Sequence, residues 1–173
     1  MTDRTPHYRH VLESVERLVA RESESDEILR QTVELLHDRF DDYSWVGIYL
    51  VEGHDLMLGP WKGPEATEHV RIPIGQGICG AAAATGQTEI VDDVAADQRY
   101  LACFLSTRSE IVVPVLYDGL VVAEIDIDSD IANAFSGDDQ EFLERVATVI
   151  SPYCLVGWDT GGTDWDAPEN WEA

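Results

Sequence analysis

Two carboxylates spaced two residues apart, Asp126 and Asp128 in the segment EIDIDS, are the first residues whose type and spacing suggest chemistry. Side chains on a strand alternate between its faces, so both acids share one face and Ile125 and Ile127 take the other. The isoleucine side is the natural core face. Two readings of the acids stay open here: solvated residues, the ordinary fate of aspartate, or a pair held for binding. Trp45 and Tyr49 in SWVGIYLVE share a strand face in the same way. Aromatic rings opposite carboxylates make a cage for a small cationic or zwitterionic ligand, whereas aromatics alone most often pack in a core.

Three cysteines, Cys79, Cys103 and Cys154, are the candidate nucleophiles. Cys103 stands before the polar stretch Ser106, Thr107, Arg108, Ser109 and Glu110. A cysteine is commonly an inert filler, but a neighbouring arginine on irregular backbone can lower its pKa and make it reactive. Cys79 lies among glycines and alanines, suited either to packing or to a resolving role. An odd number of cysteines behind a start that lacks an apolar run argues against a secreted disulfide scaffold. No CxxC or Cys/His spacing points to structural zinc, and neither a metal nor a cofactor is expected.

The bulk properties bound the alternatives. A chain of 173 residues with 45% apolar residues suits one domain with a real core. No stretch approaches the ~20 apolar residues of a membrane span, so the expectation is a cytoplasmic protein without a membrane partner. Thirty-four acidic residues against 11 basic ones leave a formal charge of −23. That charge repels phosphate backbones and excludes general nucleic-acid binding. The acids run along the whole chain and Lys62 is the sole lysine, which favours adaptation to high salt over a local acidic partner surface. Melting temperature is accordingly expected to rise with salt, and a maximum already reached in dilute buffer would reject the idea.

The elements that must position these residues follow from periodicity. Val11, Leu12, Val15, Leu18 and Val19 form a helical stripe over 7–21. A second helix follows the Ser-Glu-Ser-Asp cap region, with Ile28, Leu29, Leu35, Leu36 and Phe40 on its apolar face. Residues 44–52 read as a strand, as do 56–61 and 69–74. GQGICGAAAATG (75–86) reads as a glycine-marked entry to a short helix ended by Gly86. A short strand over 88–94 and an irregular, partly helical crossover over 95–109 come next. The Asp118-Gly119 turn joins two strands in a hairpin. A helix over 137–151, with Phe142, Leu143, Val146 and Val149 for packing, closes the domain, and Pro152 ends or kinks it. This order predicts an α+β fold: a central, mostly antiparallel sheet with N- and C-terminal helices on one face and a ligand pocket on the other. The domain spans 1–155, and 156–173 form an acidic tail rich in tryptophan.

The ordered set Trp45…Tyr49, VRIPIGQGICGAA, ACFLSTRSEIVVPV and EIDIDS resembles the GAF-domain free methionine-(R)-sulfoxide reductases, from about residue 10 to 152. The resemblance implies a GAF-like fold and reduction of free methionine-(R)-sulfoxide by thiolate attack of Cys103. It implies Cys79 as a second family cysteine, Glu110, Asp126 and Asp128 as substrate-binding carboxylates, and Trp45 and Tyr49 as the aromatic pocket. Many members carry a further resolving cysteine just before the VRIP strand. Here that place holds His69, which leaves Cys79 as the expected resolving thiol of a Cys103–Cys79 disulfide. Glu124, where members usually have an apolar residue, is a second departure. Cys154 matches no family role and is read as structural, within the closing helix. A thioredoxin-like reductant and a homodimer are further implications. Two alternatives belong to other classes: a ligand-sensing GAF module without catalysis, disfavoured by the lack of room for an output domain after residue 155, and a thiol redox switch.

Overall fold

The computed structural model describes residues 4–22, 24–102 and 104–155; the acidic tail and Cys103 lie outside the described residues. Two helices open the chain, α1 (Thr5–Arg21) and α2 (Ser25–Arg39). Val11, Leu12, Val15 and Leu18 of α1 are buried, and Pro6 sits in its first turn, where the missing N–H has no partner to lose. Within the Ser-Glu-Ser-Asp region the cap is Glu24, whose side chain makes no capping bond. Ser25 is already helical, and Asp26 and Glu27 set negative charge against the helix N-terminus.

The strands β1 (Trp45–Glu52), β2 (Asp55–Lys62) and β3 (Arg71–Pro73) lead into α3 (Gly77–Thr85). They are followed by β4 (Glu89–Val91), a 3₁₀ turn over Val94–Ala96, and the hairpin of β5 (Ser109–Tyr117) and β6 (Leu120–Ser129). Helix α4 (Gly137–Ile150) closes the order. The six strands form one antiparallel sheet in the order β3-β2-β1-β6-β5-β4. At the hairpin turn both Asp118 (φ 49°) and Gly119 (φ 83°) are left-handed, the backbone that matches the twist of paired strands.

The sheet is buried on both sides. On one side α2 and α4 cover Val46, Ile48, Ile111, Val113, Ile125 and Ile127, with α1 packed against both helices. On the other, α3 and the segment around Val94 cover Trp45, Tyr49, Leu56, Ile72 and Val112. Helix α4 starts in a capping box, in which Asp139 Oδ2 accepts bonds from the Ser136 N–H and hydroxyl at 2.9 and 2.8 Å. The other Asp139 oxygen accepts from Tyr8, Tyr43 and Arg4 at 2.8, 3.0 and 3.0 Å, tying α1 and the approach to β1 onto α4. Cys154 differs from its expected place. Helix α4 ends at Ile150, Pro152 sits in a 3₁₀ turn over Ser151–Tyr153, and Cys154 caps that turn, buried in the helical core. Among the described residues, no helix is long and apolar enough to cross a membrane.

Candidate functional site

Strand register builds the site from the sheet face under α3. Trp45, Asp128 and Glu110 lie side by side across β1, β6 and β5. The next row on that face is Gly47, Asp126 and Val112, and the one after is Tyr49, Glu124 and Pro114. Residues directly opposite on antiparallel strands point the same way, so four carboxyl side chains and two aromatic ones converge on one chamber. The acids are not solvated: Glu110, Glu124, Asp126 and Asp128 are all at most 4% exposed.

Helix α3 supplies the thiol. Gly80 approaches β3 so closely that a Cβ there would stand 2.7 Å from the Pro73 carbonyl oxygen. This contact seats Cys79, one residue earlier, over the sheet. Its Sγ donates to Glu110 Oε1 at 3.8 Å, and one donor atom each from Cys79, Glu110 and Asp126 all lie within 4.8 Å of one another.

The aromatic wall depends on the absence of side chains. The Trp45 indole lies across Gly47, where a Cβ would stand 2.3 Å from a ring carbon, and a Cβ on Gly63 would come equally close at 2.3 Å. Trp61 stacks beside Trp45 (6.1 Å, 13°), and Phe104 meets it tilted (5.8 Å). The Tyr49 hydroxyl donates to the His69 carbonyl at 2.8 Å. Gly47→Ala is therefore expected to displace the indole and lower kcat/KM by about 10²-fold, the scale of a misplaced binding wall. Kinetics together with a melting curve check this, and an unchanged kcat/KM would count against the role of Trp45.

The electrostatics are unusual for buried carboxylates. Asp139 shows the ordinary solution: burial alone would raise its pKa, but bonds from Tyr8, Ser136 and Tyr43 overcome this and lower it. In the chamber such relief is too small to offset burial. Both oxygens of Glu124 and of Asp128, and one each of Glu110 and Asp126, are buried without a hydrogen-bond partner. Burial first, and then repulsion from Asp126, holds the carboxyls of Glu110, Asp128 and Glu124 well above their usual range. Burial also pushes Asp126 up to about 7, against the opposing pull of Cys79 and Glu110. The Cys79 thiol is raised as well, by burial and then by Asp126, Glu124 and Glu110, so Cys79 is kept as a thiol.

Each expected site residue has a definite place except Cys103, which lies outside the described residues. Trp45, Tyr49, Cys79, Glu110, Asp126 and Asp128 come together in one chamber. Arg108 is exposed, with its backbone N–H bound to the Ser129 carbonyl at 2.7 Å. The His69 ring places Nε2 at 3.2 Å from the Ala102 carbonyl oxygen, beside the residue that precedes Cys103. Trp61, Phe104 and Glu124 join the site without having been expected in it. Only Glu124 could have been placed from sequence, because it shares the two-residue period of Asp126 and Asp128.

An unpaired buried carboxyl costs stability. Glu124→Leu is expected to stabilise the fold by about 1–3 kcal/mol, each kcal/mol raising the melting temperature of a chain this long by about 2–4 °C. A carboxyl whose pKa is raised on folding contributes stability below its unfolded pKa and loses it as pH rises through the folded value. The gain should therefore be larger at pH 8 than at pH 5, and a lower melting temperature at both would reject this account.

Comparison with known proteins gives the chamber its context. Residues 24–152 match the GAF domain family. The free methionine-R-sulfoxide reductase of Escherichia coli is 34% identical over 148 residues, covering 86% of this chain and 88% of that protein. The structure of the free methionine-R-sulfoxide reductase from Neisseria meningitidis in complex with its substrate superposes with a TM-score of 0.82 at 37% identity, covering 89% of this chain and 92% of that one. A type II free methionine-R-sulfoxide reductase from Thermoplasma acidophilum gives 0.73 at 36% identity, covering 81% and 94%.

Proposed function

Because the chain belongs to the GAF-domain free methionine-(R)-sulfoxide reductases, we propose that its carboxylate–thiol chamber reduces free methionine-(R)-sulfoxide, with Cys103 as the attacking thiolate. The observation that carries this reading is the convergence of Trp45, Tyr49, four buried carboxyls and a thiol on one sheet face under α3. A free amino acid brings an ammonium that such carboxylates can hold, and a peptide-bound methionine sulfoxide does not. Trp45 and Tyr49 pack on the methyl group and select one epimer.

The Cys103 thiolate attacks the sulfoxide sulfur, while a carboxyl of the cluster protonates the oxygen, a poor leaving group until then. Clustered, desolvated carboxyls retain protons near neutrality and so can supply one. The oxygen passes to the Cys103 sulfur as hydroxyl, which gives methionine and a sulfenic acid: the sulfoxide is reduced by two electrons and the thiol oxidised by two. The Cys79 thiol then condenses with the sulfenic acid, releasing water and forming the Cys103–Cys79 disulfide. An external dithiol of the thioredoxin type restores both thiols by exchange and leaves as its own disulfide.

The test is to count methionine formed from the R and S epimers by the reduced protein in high salt, with and without dithiol. The expected result is R-selective turnover with dithiol, falling to about one equivalent per chain without it. No methionine from either epimer would replace this reading with a ligand-binding module or a thiol switch.

A further inference from the structure

The chamber is short of positive charge. Four carboxyls and a thiol face one another, six of their oxygens have no hydrogen-bond partner, and no arginine or lysine among the described residues forms an ion pair with any of the four. Asp139, equally buried, is saturated by hydrogen bonds from four residues, so the fold pairs a buried carboxylate where only structure is at stake. A substrate ammonium offsets one charge. A divalent ion offsets two and also accepts a sulfur ligand.

We propose that Cys79, Glu110 and Asp126 form a binding site for a thiophilic divalent cation of the Zn²⁺ class, which excludes the sulfoxide substrate while it is bound. The three donor atoms, one sulfur and two oxygens, lie within 4.8 Å of one another. Zinc binds sulfur at about 2.3 Å and oxygen at about 2.0–2.2 Å, so donors this close together can share one ion. Glu124, fully buried and interacting with Cys79, is a further carboxyl within reach of the thiol. Thiolate selects zinc or cobalt over magnesium, which prefers oxygen and keeps its waters. The ligands come from α3, β5 and β6, so no spacing along the chain marks the site. The exclusion of substrate rests on the reductase reading; the metal site itself does not.

Cobalt serves as the spectroscopic probe, because a thiolate ligand gives Co²⁺ a charge-transfer band in the near ultraviolet. Reduced full-length protein in high salt, which suppresses loose binding to the acidic surface, is titrated with Co²⁺. The band is expected to saturate at about one ion per chain, to vanish on addition of Zn²⁺ and to survive excess Mg²⁺. Cys79→Ser should lack it, Asp126→Asn should weaken binding by about tenfold or more, and Cys154→Ser and Cys103→Ser should keep it. Methionine-(R)-sulfoxide should raise the apparent Co²⁺ dissociation constant. No band in the wild type, or a band that persists in Cys79→Ser, would overturn the site. Epimer-selective turnover in chelator without the band rejects the metal site and leaves the reductase standing; the band without turnover does the reverse.

Discussion

Cys103→Ser is expected to lower turnover of free methionine-(R)-sulfoxide by about 10³-fold or more, the scale on which removal of a nucleophile acts. A serine hydroxyl is almost wholly protonated at neutral pH and is a poor nucleophile toward sulfur, whereas a thiol supplies a workable fraction of thiolate. The informative comparison is a single turnover without dithiol: the wild type should release about one methionine per chain, the variant none, and Cys79→Ser still about one, because Cys79 acts only after methionine has formed. Undiminished turnover by Cys103→Ser would remove Cys103 from the mechanism.

Asp126→Asn carries the second large effect, a loss of about 10²–10⁴ in kcat if the cluster proton is the general acid. The carboxyl of Asp126, pushed up to about 7 by burial, holds its proton below neutrality and loses it above. The wild-type kcat should therefore fall as pH rises through about 7, and Asp126→Asn should lack that descending limb. The limb belongs to the interacting cluster rather than to one oxygen, which is why the variant decides the matter. The same shift makes a stability statement of fixed sign. With the folded pKa raised above the ordinary aspartate value, the contribution of Asp126 is present below about pH 4 and is lost as pH climbs to about 7. The melting temperature of the asparagine variant should vary less over that window, and an identical pH profile for both proteins would discard the argument.

Strand alternation was enough to read much of this chamber from sequence. A period of two puts Asp126 and Asp128 on one face and the isoleucines on the other, and the structure has them so. The Asp-Gly turn fixed where the hairpin folds back. The sequence did not disclose that the second face is also buried, because that depends on α3 crossing it, and α3 is held there by a contact between Gly80 and Pro73 that no local pattern announces. For the same reason solvated acids stayed a fair reading until α3 was in place. Glu124 obeys the period of its neighbours but was noticed only as an oddity. The approach of Phe104 and Trp61 to Trp45 is tertiary and left no mark on local periodicity. Which residue of the Ser-Glu-Ser-Asp region caps α2 was not legible, because several polar residues there compete for one position.

The left-handed pair Asp118 and Gly119 lies at the opposite end of the hairpin from Glu110 and Asp128, and the pairing shifts by one residue between Val115 and Leu116 on the way; turn and shift together govern which way the acids face. All four acids belong to the two strands the turn joins, and Glu124, Asp126 and Asp128 follow on a single strand. A slip of one residue in that pairing would turn one strand over, sending its acids into the hydrocarbon packed beneath α4 and its isoleucines into the chamber. Such a chain would keep the hairpin and lose both core and catalysis. The turn and the register shift at Val115 and Leu116 thus serve together as the reading frame of the site: chemistry at one end of the hairpin is spelled correctly only because the letters between it and the turn are offset by one.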